Sequence, residues 1–348
     1  MATTIKPLIG VKVLEFGGLA PVPHCGLILS DFGAEVTVIE KKGGGDVEQR
    51  LGRGKKFIHA NLKSKEDLME IRKQCLKTDV ILDPYRPGVL EKLGLDPVEL
   101  LKENKGLVVC RLTGYGQVGA MSQEAGHDIN YTAITGLLPT IAGHNRNPPW
   151  PPANLLADFA GGGLTAAFGI VAALLNRANN GGKGCIIDAS MTEGLAYLGT
   201  FITMYKDVDM LWNQPYASFS GDCPIYRSYE TKDGKFMSVG SLEPRFNQIL
   251  FDVLDTELTV GDVYEKPQEV VKELERIFKG KTRDEWTEIF KGKDACVAPV
   301  LDIHEAGDFP HNKMRETFTK DGTKWIPNPA PRLYTGDQFK ALTTKSKL

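Results

Sequence analysis

One histidine and one aspartate stand out for the words that contain them. His127 lies in Gly126-His127-Asp128-Ile129-Asn130-Tyr131, and Asp158 lies in Asn154-Leu155-Leu156-Ala157-Asp158-Phe159-Ala160-Gly161-Gly162-Gly163. Each stands at the mouth of an apolar run that reads as a helix, where a side chain is held rigidly with its tip in a cleft. An imidazole and a carboxylate on two sides of a small volume can take a proton from one face of a carbon and return it to the other. The glycines after Asp158 let a ligand or another backbone come close to the carboxylate.

Such a pair needs a frame. Apolar, β-branched runs at residues 11 to 16, 35 to 40, 57 to 62, 79 to 82 and 106 to 112 predict strands, and the runs 23 to 32, 65 to 75 and 97 to 102 predict helices. Helices opened by His127 and by Asp158 follow. This alternation predicts an α/β fold, a Rossmann-like parallel sheet covered by helices, with ligands beyond the carboxyl ends of the strands. After the first strand the chain reads Gly17-Gly18-Leu19-Ala20-Pro21 rather than G-x-G-x-x-G, which argues against a dinucleotide oxidoreductase. A strand at 185 to 190 and a helix at 191 to 205 come next, then a stretch with Pro215 and Pro224 that reads as a linker. A smaller α+β domain follows: a hairpin over 229 to 239 turning at Asp233-Gly234, then helices over 244 to 254, 267 to 279 and 282 to 290. The expected division is a large domain over 1–187, a linker over 188–225, a small domain over 226–305 and a return segment over 306–348.

The 348 residues suffice for about two domains. Lys and Arg number 42 against 44 Asp and Glu, a net charge of −2, so neither nucleic acid nor an anionic membrane is an expected partner. The six cysteines stand singly, without C-x-x-C or a histidine at metal spacing, and read as reduced thiols; no metal is expected. Residues 1 to 8 lack the basic start and apolar centre of a secretory signal, so the expectation is a chain that stays inside the cell. Residues 155 to 175 are apolar, yet Asp158 and Gly161 to Gly163 interrupt them, which favours a buried helix over a membrane span. Ser346-Lys347-Leu348 has the form of the peroxisomal address that an import receptor reads from a free carboxyl terminus.

Taken together and in order, several words resemble the α-methylacyl-CoA racemases, a branch of the family III CoA-transferases (CaiB/BaiF superfamily). They are Glu15-Phe16, Leu19-Ala20-Pro21, Asp31-Phe32-Gly33-Ala34, Leu51-Gly52-Arg53-Gly54-Lys55, Arg86-Pro87-Gly88-Val89, the His127 and Asp158 words, Asp188 to Gly194 and Gly240 to Phe246. The resemblance implies epimerisation of 2-methyl-branched acyl-CoA thioesters, with coenzyme A as part of the substrate and no separate cofactor. It implies an interlocked homodimer with each site between the large domain of one subunit and the small domain of the other. His127 and Asp158 become the two acid/base residues, Asp128 supplies a backbone N–H to the thioester oxygen, and Glu243 orients the histidine from the second subunit. For coenzyme A the resemblance points to Lys41, Arg53, Lys55, His59, Ala60, Asn61, Leu62, Arg86, Lys92 and Gly126, because a pyrophosphate and a 3′-phosphate need fixed cations in a near-neutral protein. Two departures stand out: relatives often carry arginine at Lys41, and they usually carry a further C-terminal segment with a Gly-x-His word. The nearest rival is CoA transfer with Asp158 as nucleophile, but transferases of the family generally use a glycine run as a flap, and Val239 to Phe246 contains only Gly240.

Overall fold

The computed structural model describes residues 5–41, 48–143 and 146–345. The chain divides into two compact units, one formed by residues 1–138, 151–200 and 329–348, the other by 139–150 and 201–328.

The first unit is built on six strands: β1 (Lys12–Phe16), β2 (Glu35–Glu40), β3 (Lys56–His59), β4 (Val80–Asp83), β5 (Val108–Thr113) and β6 (Cys185–Ser190). All pair in parallel, in the order β3-β2-β1-β4-β5-β6. The central strands β4 and β5 are buried throughout, as expected where helices cover both faces. Winding runs outward in both directions from β1 and β4, so the crevice at the carboxyl ends of these two strands is the place where such sheets bind ligands.

The helices of this unit include α1 (Pro21–Asp31), α2 (Lys65–Cys75), α3 (Val89–Lys92), α4 (Pro97–Glu103), α5 (Asp128–Ile134), α6 (Thr165–Asn179) and α7 (Met191–Leu198). Local chemistry sets their ends. Pro21 begins α1, where a missing N–H costs nothing; Ser64 caps α2 through Asp67 N–H, and Asp96 caps α4 through Val98 N–H.

Three expected elements differ, one of them the helix expected over 191 to 205, which ends at Leu198 with Gly199 as its C-cap and is followed by a separate short helix, Thr200–Met204. The third strand stops at His59, because Asn61 folds the chain over: its Oδ1 accepts from Lys63 N–H (3.1 Å) and its carbonyl from Ser64 N–H (2.8 Å). Asp158 does not open an α-helix; it lies in the first turn of a π-helical segment, Leu155–Leu164, which runs on into α6. The glycines explain the wider winding, since the segment is pressed against α7 with no room for side chains. A Cβ on Gly161 would come within 2.5 Å of Leu195 N, and one on Gly194 within 1.9 Å of Gly161 O.

The combined helix Leu155–Asn179 is long and apolar enough by composition to cross a membrane. Its Gly161 to Gly163 are nevertheless buried, and Ala166, Ala167, Ile170 and Ala173 are buried along one side.

In the second unit β7 (Tyr226–Glu230) and β8 (Phe236–Gly240) form the expected hairpin, and a short third strand, β9 (Val297–Pro299), pairs antiparallel with β8. Helices α8 (Pro244–Leu254), α9 (Pro267–Phe278) and α10 (Arg283–Phe290) close a core that includes Tyr229, Met237, Leu250, Phe251, Leu274, Phe278 and Trp286.

Candidate active site

A cavity of about 390 Å³ opens at the crevice between β1 and β4. Its wall is made by residues that follow three strands: Gly17 to Leu19 after β1, Pro84 to Arg86 after β4, and Gly114 and Tyr115 after β5, closed by Ser122, Glu124 to His127 and Tyr131. The sheet order thus accounts for the location.

Two loops of this wall are tied to each other. The Arg86 guanidinium donates to Gln123 O (3.0 Å) and Gln123 Nε2 donates to Pro87 O (3.0 Å). Beneath them Asp83, fully buried at the end of β4, accepts from Tyr85 N–H (2.8 Å) and from Arg111 Nε (2.9 Å), while Arg111 also holds Glu91 of α3 (2.7 Å). Burial pushes the Asp83 carboxyl up to about 6 despite the arginine.

His127 is the N-cap residue of α5, with extended backbone. Its N–H donates to Asn130 Oδ1 (3.1 Å), its carbonyl accepts from Asn130 N–H (2.8 Å), and its side chain is exposed and lines the cavity. The peptide before it is pinned as well: Tyr131 donates its hydroxyl to Gly126 O, and its ring meets Tyr115 edge-on at 5.0 Å. Burial pushes the Tyr131 phenol up to about 12, so it remains a donor. Asp128, at the first position of α5, has an N–H with no intrahelical acceptor.

Asp158 is half-buried and accepts from Asn154 Nδ2 (3.1 Å). Its carboxyl is held above the ordinary aspartate value, chiefly by burial; the Asn154 bond opposes this, negative Asp128 adds to it, and His127 opposes it. The link to the histidine runs through its neighbour in the chain: the Asp128 carboxylate accepts the N–H of Ala157 (2.7 Å) and of Asp158 (2.9 Å). Phe159 packs edge-on against His24 of α1 at 5.0 Å, and burial, then Lys55, holds that imidazole below its ordinary value.

The expected coenzyme A contacts separate into groups. Arg86, Gly126 and His127 share the cavity wall. Lys41 and His59 follow or end β2 and β3, at the same carboxyl edge of the parallel sheet, and Ala60 to Leu62 continue from there. Lys92 is exposed at the end of α3, and Arg53 is half-exposed and forked onto Asp31 (3.0 and 2.5 Å). Lys55 is a different case. Its side chain is 1% exposed, and its ammonium is used up on both oxygens of equally buried Glu15 (2.7 and 3.0 Å) and on Pro23 O (2.8 Å). A charge neutralised under the surface does not meet a phosphate in solvent, so Lys55 leaves the coenzyme A set. Glu243 belongs to the second unit, as the N-cap residue of α8.

Several residues that shape this site carry no motif of their own. His24 is found only through contacts, and the words that contain Tyr131 and Glu15 do not say what those side chains hold; Asn154, four residues before Asp158, was in reach of sequence reasoning, since that spacing lets an amide meet a carboxylate along a helix. Among the described residues no group of three or more His, Cys, Asp and Glu side chains is placed to hold a metal ion.

The chain was compared with known proteins. It is 55% identical over 338 residues to the CaiB/baiF CoA-transferase family protein ZK892.4 of Caenorhabditis elegans, covering 97% of this chain and 98% of the relative. It is 43% identical over 334 residues to human alpha-methylacyl-CoA racemase, covering 93% and 86%. Among solved structures, a CAIB/BAIF family protein from Brucella suis shares the fold with a TM-score of 0.77 at 21% identity, covering 99% of this chain and all of that one. The family model of CoA-transferase family III matches residues 8–338, and the chain belongs to that family.

Proposed function

We propose that this protein epimerises 2-methyl-branched acyl-CoA thioesters, moving the α-proton between two bases through an enolate. The observation that carries this reading is the bond from the Asp158 N–H to the carboxylate of Asp128, the residue that follows His127 at the start of α5. Its likeness to the racemase at 43% identity supports the reading.

The steps follow from the chain's own groups. For one epimer, neutral His127 takes the α-proton; electrons move onto the thioester oxygen, which accepts the N–H at the start of α5, where the helix dipole favours negative charge. Asp158, entering the cycle protonated, then donates its proton to the opposite face of the carbon. Its raised proton affinity suits that donation. The other epimer runs the steps backwards, so no proton is lost overall. Arg86, at the cavity wall, is our first candidate for a phosphate of coenzyme A, with Lys41, Arg53, His59 to Leu62 and Lys92 along the edge that a long ligand would follow.

Glu243 acts, in this proposal, on His127 of a second copy in an interlocked homodimer. Leu164, Phe168, Val171 and Leu175 form an exposed apolar stripe at helical spacing, the kind of surface a second copy covers. The division into large domain, linker, small domain and return segment at the boundaries given above belongs to the same proposal, as does delivery to peroxisomes by the import receptor; Ser346-Lys347-Leu348 lies outside the described residues.

The test is incubation of one 2-methylacyl-CoA epimer in deuterated water. Deuterium should enter the α-carbon as both epimers appear. His127→Ala and Asp158→Asn should each slow epimerisation by about 10²- to 10⁴-fold while each still exchanges the proton of one epimer only. Absence of exchange, with CoA passing to an added free acid, would replace the proposal by the transferase reaction with Asp158 as nucleophile.

A further inference from the structure

We infer that the side-chain carboxylate of Asp128 is a positioning residue that fixes Asp158 against His127, so that the two proton-transfer groups keep one spacing. The inference rests on the proton-transfer reading above and adds to it a role for the side chain of a residue whose backbone alone figures there.

Asp128 is 3% exposed, and its carboxylate is bonded to groups of the protein. One oxygen accepts the N–H of Ala157 (2.7 Å) and of Asp158 (2.9 Å); the other accepts from Thr132 Oγ1 (3.2 Å), itself fully buried one turn along α5. The first N–H groups of a helical segment need acceptors from outside its own ladder, and the usual supplier is the residue at the N-cap. Here the N-cap is Asn154, whose side chain makes no cap bond and turns instead to Asp158 Oδ2. The missing acceptor is imported from α5, from the residue bonded directly to His127. Charge makes such bonds shorter and stronger than those to a neutral oxygen. One buried group therefore ties the backbone of one base to the backbone of the other, while Asn154 turns the carboxylate.

The same group is a negative charge beside Asp158. The titratable groups coupled to that carboxylate are His127 and Tyr131 of α5, while His24 of α1 faces the neighbouring Phe159. Removing the Asp128 charge while keeping its shape should lower the proton affinity of Asp158; removing the shape should spoil the spacing.

Asp128→Asn and Asp128→Ala separate the two. The amide oxygen of Asn can accept both N–H groups and its nitrogen can donate to Thr132, so Asp128→Asn should keep kcat within about tenfold and move the acid limb of the kcat/KM profile to lower pH. Asp128→Ala should lower kcat by about 10²-fold, the cost of a misplacement on the order of 1 Å, with KM for the thioester within about threefold. Amide hydrogen exchange of Ala157 and Asp158 supplies a readout free of turnover: protection should fall in Asp128→Ala and persist in Asp128→Asn. Unchanged protection and kcat in Asp128→Ala would overturn the inference, as would an Asn variant as impaired as Ala with an unmoved acid limb. If Asp128→Ala fails to fold, the acid limb and amide protection of Asp128→Asn decide alone. A wild-type protein that neither epimerises nor exchanges would refute the proton-transfer reading, and the amide protection would still judge the tie.

Discussion

Lys55 is the residue on which the structure and the sequence reading disagree most, and replacing it by methionine separates the two. The ammonium sits 2.7 and 3.0 Å from the Glu15 oxygens and 2.8 Å from Pro23 O, with both side chains 1% exposed. Methionine keeps much of the stem's volume and leaves Glu15 as a buried charge without its partner, a loss of about 3–5 kcal/mol. At about 2–4 °C per kcal/mol for a unit of this size, the melting temperature should fall by roughly 6–20 °C. The dependence on pH has a definite sign. Burial already holds the Glu15 carboxyl above its ordinary value, with Lys55 pulling it down. Without the lysine it rises further, so the folded variant holds a proton that the unfolded chain releases above its own carboxylate range, and stability falls as pH rises. The gap between variant and wild type should therefore be widest at neutral pH and close toward pH 5 and below. The paired change Glu15→Gln with Lys55→Met should recover most of the loss, since a buried pair replaced by neutral groups costs little. Calorimetry across pH gives these numbers, and KM for an acyl-CoA, measured well below the melting point, should stay within about threefold. Unchanged stability with KM raised tenfold would show that Lys55 does bind a phosphate and that the argument from burial is mistaken.

Two further outcomes follow from the same geometry. Arg86→Ala should weaken binding of acyl-CoA thioesters and leave a pantetheine thioester, which has no nucleotide, nearly unaffected; equal weakening in calorimetric titrations of both ligands would remove Arg86 from the phosphate site. A fluorescent reporter ending in the last dozen residues of this chain should gather at a peroxisomal marker and disperse when Leu348 is deleted; punctate signal without Leu348, or a diffuse signal with it, would make the tripeptide a coincidence.

How much of this was readable beforehand depends on distance along the chain. The parallel sheet came from the alternation of apolar strands with amphipathic helices, a local pattern, and the His127 helix start came from a six-residue word. What failed was non-local. Among Arg50, Arg53, Lys55 and Lys56 nothing in composition distinguishes the cation that turns inward, because its partner Glu15 lies 40 residues earlier on β1, and Arg53 finds Asp31 at a separation of 22. Strand β9 is three residues long and joins β8 from 57 residues away, too short for an alternation to register. The π-helical winding at Asp158 depends on Leu195 and Gly194 approaching from α7, so three glycines announce a close contact without naming its partner.

On the proposed reading, one aspartate in this frame has two chemistries open to it. A carboxylate on a glycine-backed turn beside a thioester can attack the carbonyl carbon or take the neighbouring α-proton, and a raised proton affinity strengthens it in both roles. What separates the outcomes is the group across the substrate. Transfer needs space for an incoming acid and a mobile cover over the acyl-enzyme. In this chain the segment after β8 is held within its own unit, with Ser241 fully buried and bonded to Ala295 O (2.5 Å), and α8 begins at once behind Glu243. Epimerisation needs a second base at a fixed distance, and His127 stands at the cavity wall on the helix whose next residue grips the Asp158 backbone. Rigidity between the two bases is of no use to a nucleophile that must be covered and uncovered, and it is what a planar intermediate protonated from either face requires.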